Sequence, residues 1–350
     1  MAGLRAPLAR RAAGRGGGGV SALAGRRGVL LLGAKVVLSL ALMAALLARI
    51  PLDRLGATLR AADPAWLAAA GLVMFGSNVL GSWQWSRLLA AADIRIPFWK
   101  VCAYYHVGLF FNNFLPANVG GDIARVLDAS RYARTRAAAV STVILDRLIG
   151  TVALAGLALI TTLPAIDAFH LSLAYLALVG FCGVSVAVLW AVFHPRFLKV
   201  VEAALARVGL GRLKPHLDDL ASRLAGFRAR RHLLLRLLLV ALVVQIARIG
   251  VHVLVSRALG LAVPLPYFFL FVPLLAVIVS LPISLNGIGV REGAGIVLFG
   301  LVGVDQARAF SLQFTTYLVA VAVSLLGGVI FLARLPRRRA GAGTTGRTSG

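Results

Sequence analysis

Residues 112–125 read NNFLPANVGGDIAR, a run with three Asn, one Pro, two Gly, an Asp and an Arg set directly against apolar sequence. Pro116 has no backbone N–H to donate, and Gly120 and Gly121 admit turns that other residues resist, so any helix entering this stretch is broken in it. Broken backbone inside a bilayer is tolerated only where protein buries it or where it lines a wet cavity. The meaning of the stretch therefore depends on whether its surroundings lie in a membrane.

They do. The 350-residue chain is 60% hydrophobic and 14% charged, with mean hydropathy +0.89, outside the range of water-soluble domains. Apolar runs at 29–50, 65–86, 97–115, 137–162, 169–193, 233–256, 265–283, 287–303 and 309–333 approach or reach the ~20 residues that a helix needs to cross ~30 Å of hydrocarbon. The net charge of +25 is parcelled out between these runs, leaving no basic folded unit to grip phosphates, so no nucleic-acid partner is expected. Cys102 and Cys182 lie within apolar runs and read as core residues, with no disulfide or zinc framework.

Lys and Arg set the expected topology, because short cytoplasmic connections collect them. The segments 1–28, 86–100, 125–136, 194–232 and 334–350 hold 27, against 5 on the opposite side. Both flanks of 97–124 are then cytoplasmic, so that segment enters and returns on one side. By the same reasoning 265–303 enters from the other. The expectation is an all-α polytopic membrane protein: about six full transmembrane helices plus two opposed re-entrant hairpins, arranged like an inverted repeat. One transmembrane domain spans 29–333 between disordered basic cytoplasmic tails at 1–28 and 334–350. The 194–232 loop carries RFLKVVEAALARV and HLDDLASRLAGFRARR, whose helical periodicity suits helices lying on an anionic leaflet.

The second hairpin tip, LPISLNGIGVR at 281–291, matches the first. In each, an Arg (Arg125, Arg291) stands nine positions after a Pro (Pro116, Pro282), with two glycines between (Gly120 and Gly121; Gly287 and Gly289) and an acid nearby (Asp122, Glu292). Paired Gly/Pro breaks in two halves of a chain point to a transporter site. Helix N-termini and Arg together suit a phosphate or carboxylate. The competing reading is that the acids pair with arginines only to hold the hairpins shut. Asp146 and Arg147 lie deep in the run after the first hairpin, and Arg248 lies equally deep, with Gln245 and His252 on its face. A structural pair of Asp146 with either Arg125 or Arg248 is as open as a transport role. Three acids against four arginines still leave the interior cationic.

Asn112 and Asn113 suit a cap on the broken helix or a hydrogen bond to a lipid hydroxyl. Asn286 lies in the second tip, four residues after Pro282 and directly before Gly287. His106 reads as a core residue, while Trp66, Trp83, Trp85 and Trp99 read as interfacial anchors. No nucleotide-binding, serine-hydrolase or zinc-protease motif occurs, and neither cofactor nor metal is expected.

NNFLPANVGGDIARVLDASR, AAAVSTVILDRLIG and LPISLNGIGVREG, in that order, resemble the lysylphosphatidylglycerol synthase transmembrane-region family over about residues 30–335. The resemblance implies a lipid-flippase-like domain. The family's Pro-Gly-Gly-Asp-Arg pattern falls on Pro116, Gly120, Gly121, Asp122 and Arg125, its acid-Arg pair on Asp146 and Arg147, and its Gly-Arg-Glu pattern on Gly287, Gly289, Arg291 and Glu292. Asp146 replaces a typical Glu. The aminoacyl-transferring members carry a large soluble domain after the last span that is not seen here, so this chain is not expected to make lysylphosphatidylglycerol by itself. The expected partners are membrane lipids, either an anionic phospholipid or a polyprenyl-phosphate lipid. Two alternatives stand beside lipid movement: a transferase or hydrolase on lipid-linked substrates with Asp122 or Asp146 as base, and a membrane partner of a soluble synthase or glycosyltransferase. The expected location is the bacterial inner membrane.

Overall fold

The computed structural model describes residues 37, 40–41, 43–48, 52–114, 120–163, 172–192, 194, 214–280 and 287–342. Most of the 29–50 run, the N-terminal tail, Pro116, Pro282, Asn286, the 196–208 segment and residues 343–350 lie outside them. Every regular element among the described residues is a helix: α1 Leu52–Arg60, α2 Pro64–Ala91, α3 Phe98–Phe114, α4 Gly120–Ser130, α5 Arg136–Thr162, α6 Ser172–Val192, α7 Lys214–Arg228, α8 Arg231–Ala258, α9 Leu265–Ser280, α10 Val290–Gly300 and α11 Gln306–Ala342. The protein is an all-α polytopic membrane protein.

Four helices, α2, α5, α8 and the Gln306–Arg334 part of α11, are long and apolar enough to cross a bilayer. α3 and α4, with 17 and 11 residues, are not. At a rise of ~1.5 Å per residue they reach ~25 and ~17 Å, short of the ~30 Å core. α9 and α10, with 16 and 11 residues, fall short in the same way. In both cases the chain folds back: α3 packs on α4, and α9 on α10.

Two four-helix units emerge from these lengths. α2 to α5 count 28, 17, 11 and 27 residues. α8 to α11 count 28, 16, 11 and 37. The packing exchanges partners as a two-fold relation requires: α2 lies on α8, α3 on α11, and α9 on α5. Asp63 N–H donates to the Ala258 carbonyl at 2.8 Å, so the start of α2 meets the end of α8 and the pair runs antiparallel. Asp63 Oδ1 also caps α2 by accepting from Ala65 N–H at 2.8 Å, and Pro64 follows as the first helical residue, where its missing N–H costs nothing.

Several expectations change. α4 continues to Ser130 rather than ending at 124, because Ile123, Val126 and Leu127 maintain a helical apolar pattern after the glycines. Arg125 is consequently a helix residue, not a loop residue. α7, expected to lie on the leaflet, instead buries Leu224 and Phe227 against Leu88, Leu145, Ile149 and Leu237, because the core offers its apolar face a drier, closer-packed partner. Asp219 of α7 accepts a hydrogen bond from Thr135 at 2.8 Å, fixing that seat. α11 runs unbroken past 334 to Ala342. Trp85, read as an interfacial anchor, is fully buried. Trp99 and Trp66 are exposed and carry Lys100 and Arg257 over their rings at 5.3 and 5.2 Å.

Candidate functional site

The first hairpin closes by close backbone approach. A Cβ on Gly121 would collide with the Gly108 carbonyl oxygen of α3 and would stand 2.6 Å from Asn112 Oδ1. Gly121 N–H donates to Asn112 Oδ1 at 2.9 Å, so Asn112 satisfies a free donor at the start of α4. Capping is thus what Asn112 does, and its side chain still borders open space.

Above this turn the charges cross from α4 to α5. Arg125, 5% exposed, donates from Nη2 to Asp146 Oδ2 at 2.7 Å. Arg147 Nε donates to Asp122 Oδ2 at 2.7 Å, and Asp122 also faces Arg125 at 3.8 Å. The other Asp146 oxygen accepts from Gln84 Nε2 at 2.9 Å. The Arg125 guanidinium lies 4.3 Å from the Trp85 ring and 4.7 Å from Tyr105, where aromatic faces add cation–π attraction. Trp85 is held in turn by its N–H to Thr142 at 3.2 Å. The open choice of partner for Asp146 is settled in favour of Arg125.

The second hairpin uses the same residue types differently. Gly287 and Gly289 adopt φ of 77° and 81°, the left-handed region where a side chain is strained. Glu292, fully buried, turns back and accepts from Gly289 N–H at 2.7 Å, capping α10. Arg291 lies 4.3 Å over the Tyr317 ring of α11.

Both hairpins border one cavity of about 550 Å³. Four arginines line it, Arg125, Arg147, Arg248 and Arg291, against a single lining acid, Asp146. Neutral polar groups fill in around them: Gln84, Tyr105, Asn112, Asn113, Gln245, His252, Gln313 and Tyr317. Apolar walls come from Leu109, Leu154, Leu157, Val272, Leu275 and Val279, with Pro273 interrupting the α9 ladder beside them. Arg248 has no ion pair among the described residues. Its neighbours are anchored elsewhere: Gln245 Nε2 donates to the Gly150 carbonyl at 3.2 Å, and His252 Nδ1 to the Arg248 carbonyl at 3.0 Å.

Of the residues singled out from sequence, Asn112, Asn113, Arg125, Asp146, Arg147, Arg248 and Arg291 meet at the cavity. Gly120, Gly121, Asp122, Gly287, Gly289 and Glu292 shape or support the hairpins behind it. Pro116 and Asn286 are outside the described residues. Sequence reasoning missed Gln84, Trp85, Tyr105, Gln313 and Tyr317. Gln84 and Gln313 carried a usable signal, an amide placed inside an apolar run.

Comparison with known proteins agrees with this architecture. The family described as the lysylphosphatidylglycerol synthase TM region matches residues 32–328. A UPF0104 membrane protein of Pyrococcus horikoshii is 24% identical over 300 residues, covering 77% of this chain and 88% of that protein. No solved structure matches.

Proposed function

The chain belongs to the lysylphosphatidylglycerol synthase transmembrane-region family, and we propose that it binds an anionic phospholipid or polyprenyl-phosphate headgroup in its central cavity and carries it across the bacterial inner membrane, with both termini cytoplasmic. The observation behind this reading is Arg248, a cavity cation with no ion pair among the described residues, set beside Arg125, Arg147 and Arg291 on the same space. Uncompensated cations at membrane depth are costly, and a phosphate offsets that cost where a neutral solute does not. Guanidinium forks match phosphate oxygens in geometry as well as charge. The apolar walls then accommodate the first carbons of the lipid.

The crossed pairs Arg125–Asp146 and Asp122–Arg147 join the first hairpin to α5. An arriving phosphate competes with these carboxylates for the guanidiniums and so couples headgroup binding to the position of the hairpin. Rocking of the α2–α5 unit against the α8–α11 unit then opens the cavity to each side in turn. Asp146 has both oxygens occupied, by Arg125 and Gln84, which counts against it as the general base of the transferase reading.

The test is movement of fluorescent phospholipid or polyprenyl-phosphate lipid between leaflets of proteoliposomes. Wild type is expected to accelerate it, and Arg125→Ala and Arg291→Ala to abolish the acceleration. Unchanged movement in both variants overturns the proposal.

A further inference from the structure

A second hollow, about 460 Å³, opens between α3, α4 and α11. That volume falls within the ~300–1,000 Å³ usual for ligand sites. One side is apolar, formed by Phe111, Leu127 and Phe331. The other is a rim of Arg131, Arg136 and Arg334, with Asp128 as its one acid. Asp128 lies 3.2 Å from Arg334 and 3.9 Å from Arg131. Arg136 is exposed and makes no ion pair among the described residues, so three cations face one carboxylate.

The surroundings place this hollow at headgroup level. Lys100 sits over the Trp99 ring at 5.3 Å and donates to Tyr132 Oη at 3.3 Å, while Arg334 stacks on Tyr104 at 4.4 Å. Aromatic and basic side chains gathered in this way belong at a membrane–water interface. A soluble anion would leave the apolar side unused, and a neutral lipid would leave the arginines unanswered. An anionic phospholipid satisfies both, with acyl carbons along Phe111, Leu127 and Phe331 and phosphate at the rim.

We propose that this groove is a resident binding site for an anionic phospholipid, separate from the central cavity. Its occupant bridges α4 of the first hairpin to α11 of the second unit, so the charge of the leaflet bears on how firmly the hairpin is held.

The full chain, reconstituted in phosphatidylcholine nanodiscs doped with photoactivatable phosphatidylglycerol, is irradiated and its adducts are mapped by mass spectrometry. Adducts are expected on peptides containing Ala124–Arg131 and Phe331–Arg334. They should fall about thirty-fold in Arg131→Gln/Arg136→Gln, as loss of two interfacial cations predicts. They should also fall in Leu127→Trp, which fills the apolar side and keeps every charge. Arg248→Gln, in the central cavity, should leave them unchanged. Equal labelling by photoactivatable phosphatidylcholine, or undiminished labelling in both groove variants, overturns the proposal.

Discussion

The two hairpin units share the lengths of their first three helices to within one residue, a Pro-to-Arg spacing and a place on the same cavity, but they treat their arginines differently. In the first, Arg125 is buried and joined to Asp146 at 2.7 Å between two aromatic rings. In the second, Arg291 rests over Tyr317 at 4.3 Å, and its neighbouring acid, Glu292, is turned away to cap α10. One acid is spent on a charge and the other on a backbone donor. The first unit therefore neutralises its own guanidiniums across α4 and α5, while in the second Arg248 makes no ion pair among the described residues. A two-fold arrangement of backbone can thus carry an asymmetric site, one half latched by ion pairs and the other contributing the cation Arg248 to the cavity.

The largest effect that would break this comparison comes from Asp146→Ala. Removing one partner of a buried pair leaves Arg125 with only Asp122 at 3.8 Å, at a cost of about 3–5 kcal/mol, read as a lowered Tm in detergent. Gly121→Ala follows, because its Cβ meets the Gly108 carbonyl. Overpacking there is expected to cost about 1–3 kcal/mol, whereas Gly156→Ala, with nothing within 4 Å, should be neutral or mildly stabilising. Tyr317→Leu removes the aromatic face from Arg291, about 0.5–2 kcal/mol, and should weaken headgroup binding more than it lowers Tm. Asp122→Asn is the smallest in stability, below about 1 kcal/mol, because Arg147 is half exposed. Its expected signature is an altered rate of lipid movement, measured in proteoliposomes, with Tm nearly unchanged.

The hairpins were legible in the sequence because clustered glycines act locally: Gly120 and Gly121 stand at the start of α4, and Gly287 and Gly289 take positive φ just before α10. The cavity arginines were legible for a related reason, since a guanidinium in an apolar run has few places to go. What the sequence did not disclose depends on contacts between distant segments. Trp85 looks like an interfacial anchor until α4 places Arg125 on its ring. Tyr105 and Tyr317 are ordinary aromatics until the hairpins bring cations over them. The seat of α7 depends on whether its apolar face finds lipid or protein, and periodicity is the same in both cases. Glu292 and Asp146 are both acids near an Arg, and only the fold distinguishes a cap from an ion pair.

Arg248 offers the most direct test of the central claim, because its removal orphans no carboxylate among the described residues. Binding of a short-chain phosphatidylglycerol to purified protein can be followed by thermophoresis, in the Arg131→Gln/Arg136→Gln background so that the central cavity alone is read. Adding Arg248→Gln is expected to weaken binding by about ten-fold, the loss of one charge-assisted contact of roughly 1.5–3 kcal/mol, with Tm unchanged. Equal affinity with and without Arg248 would contradict an anion site shared by the two units.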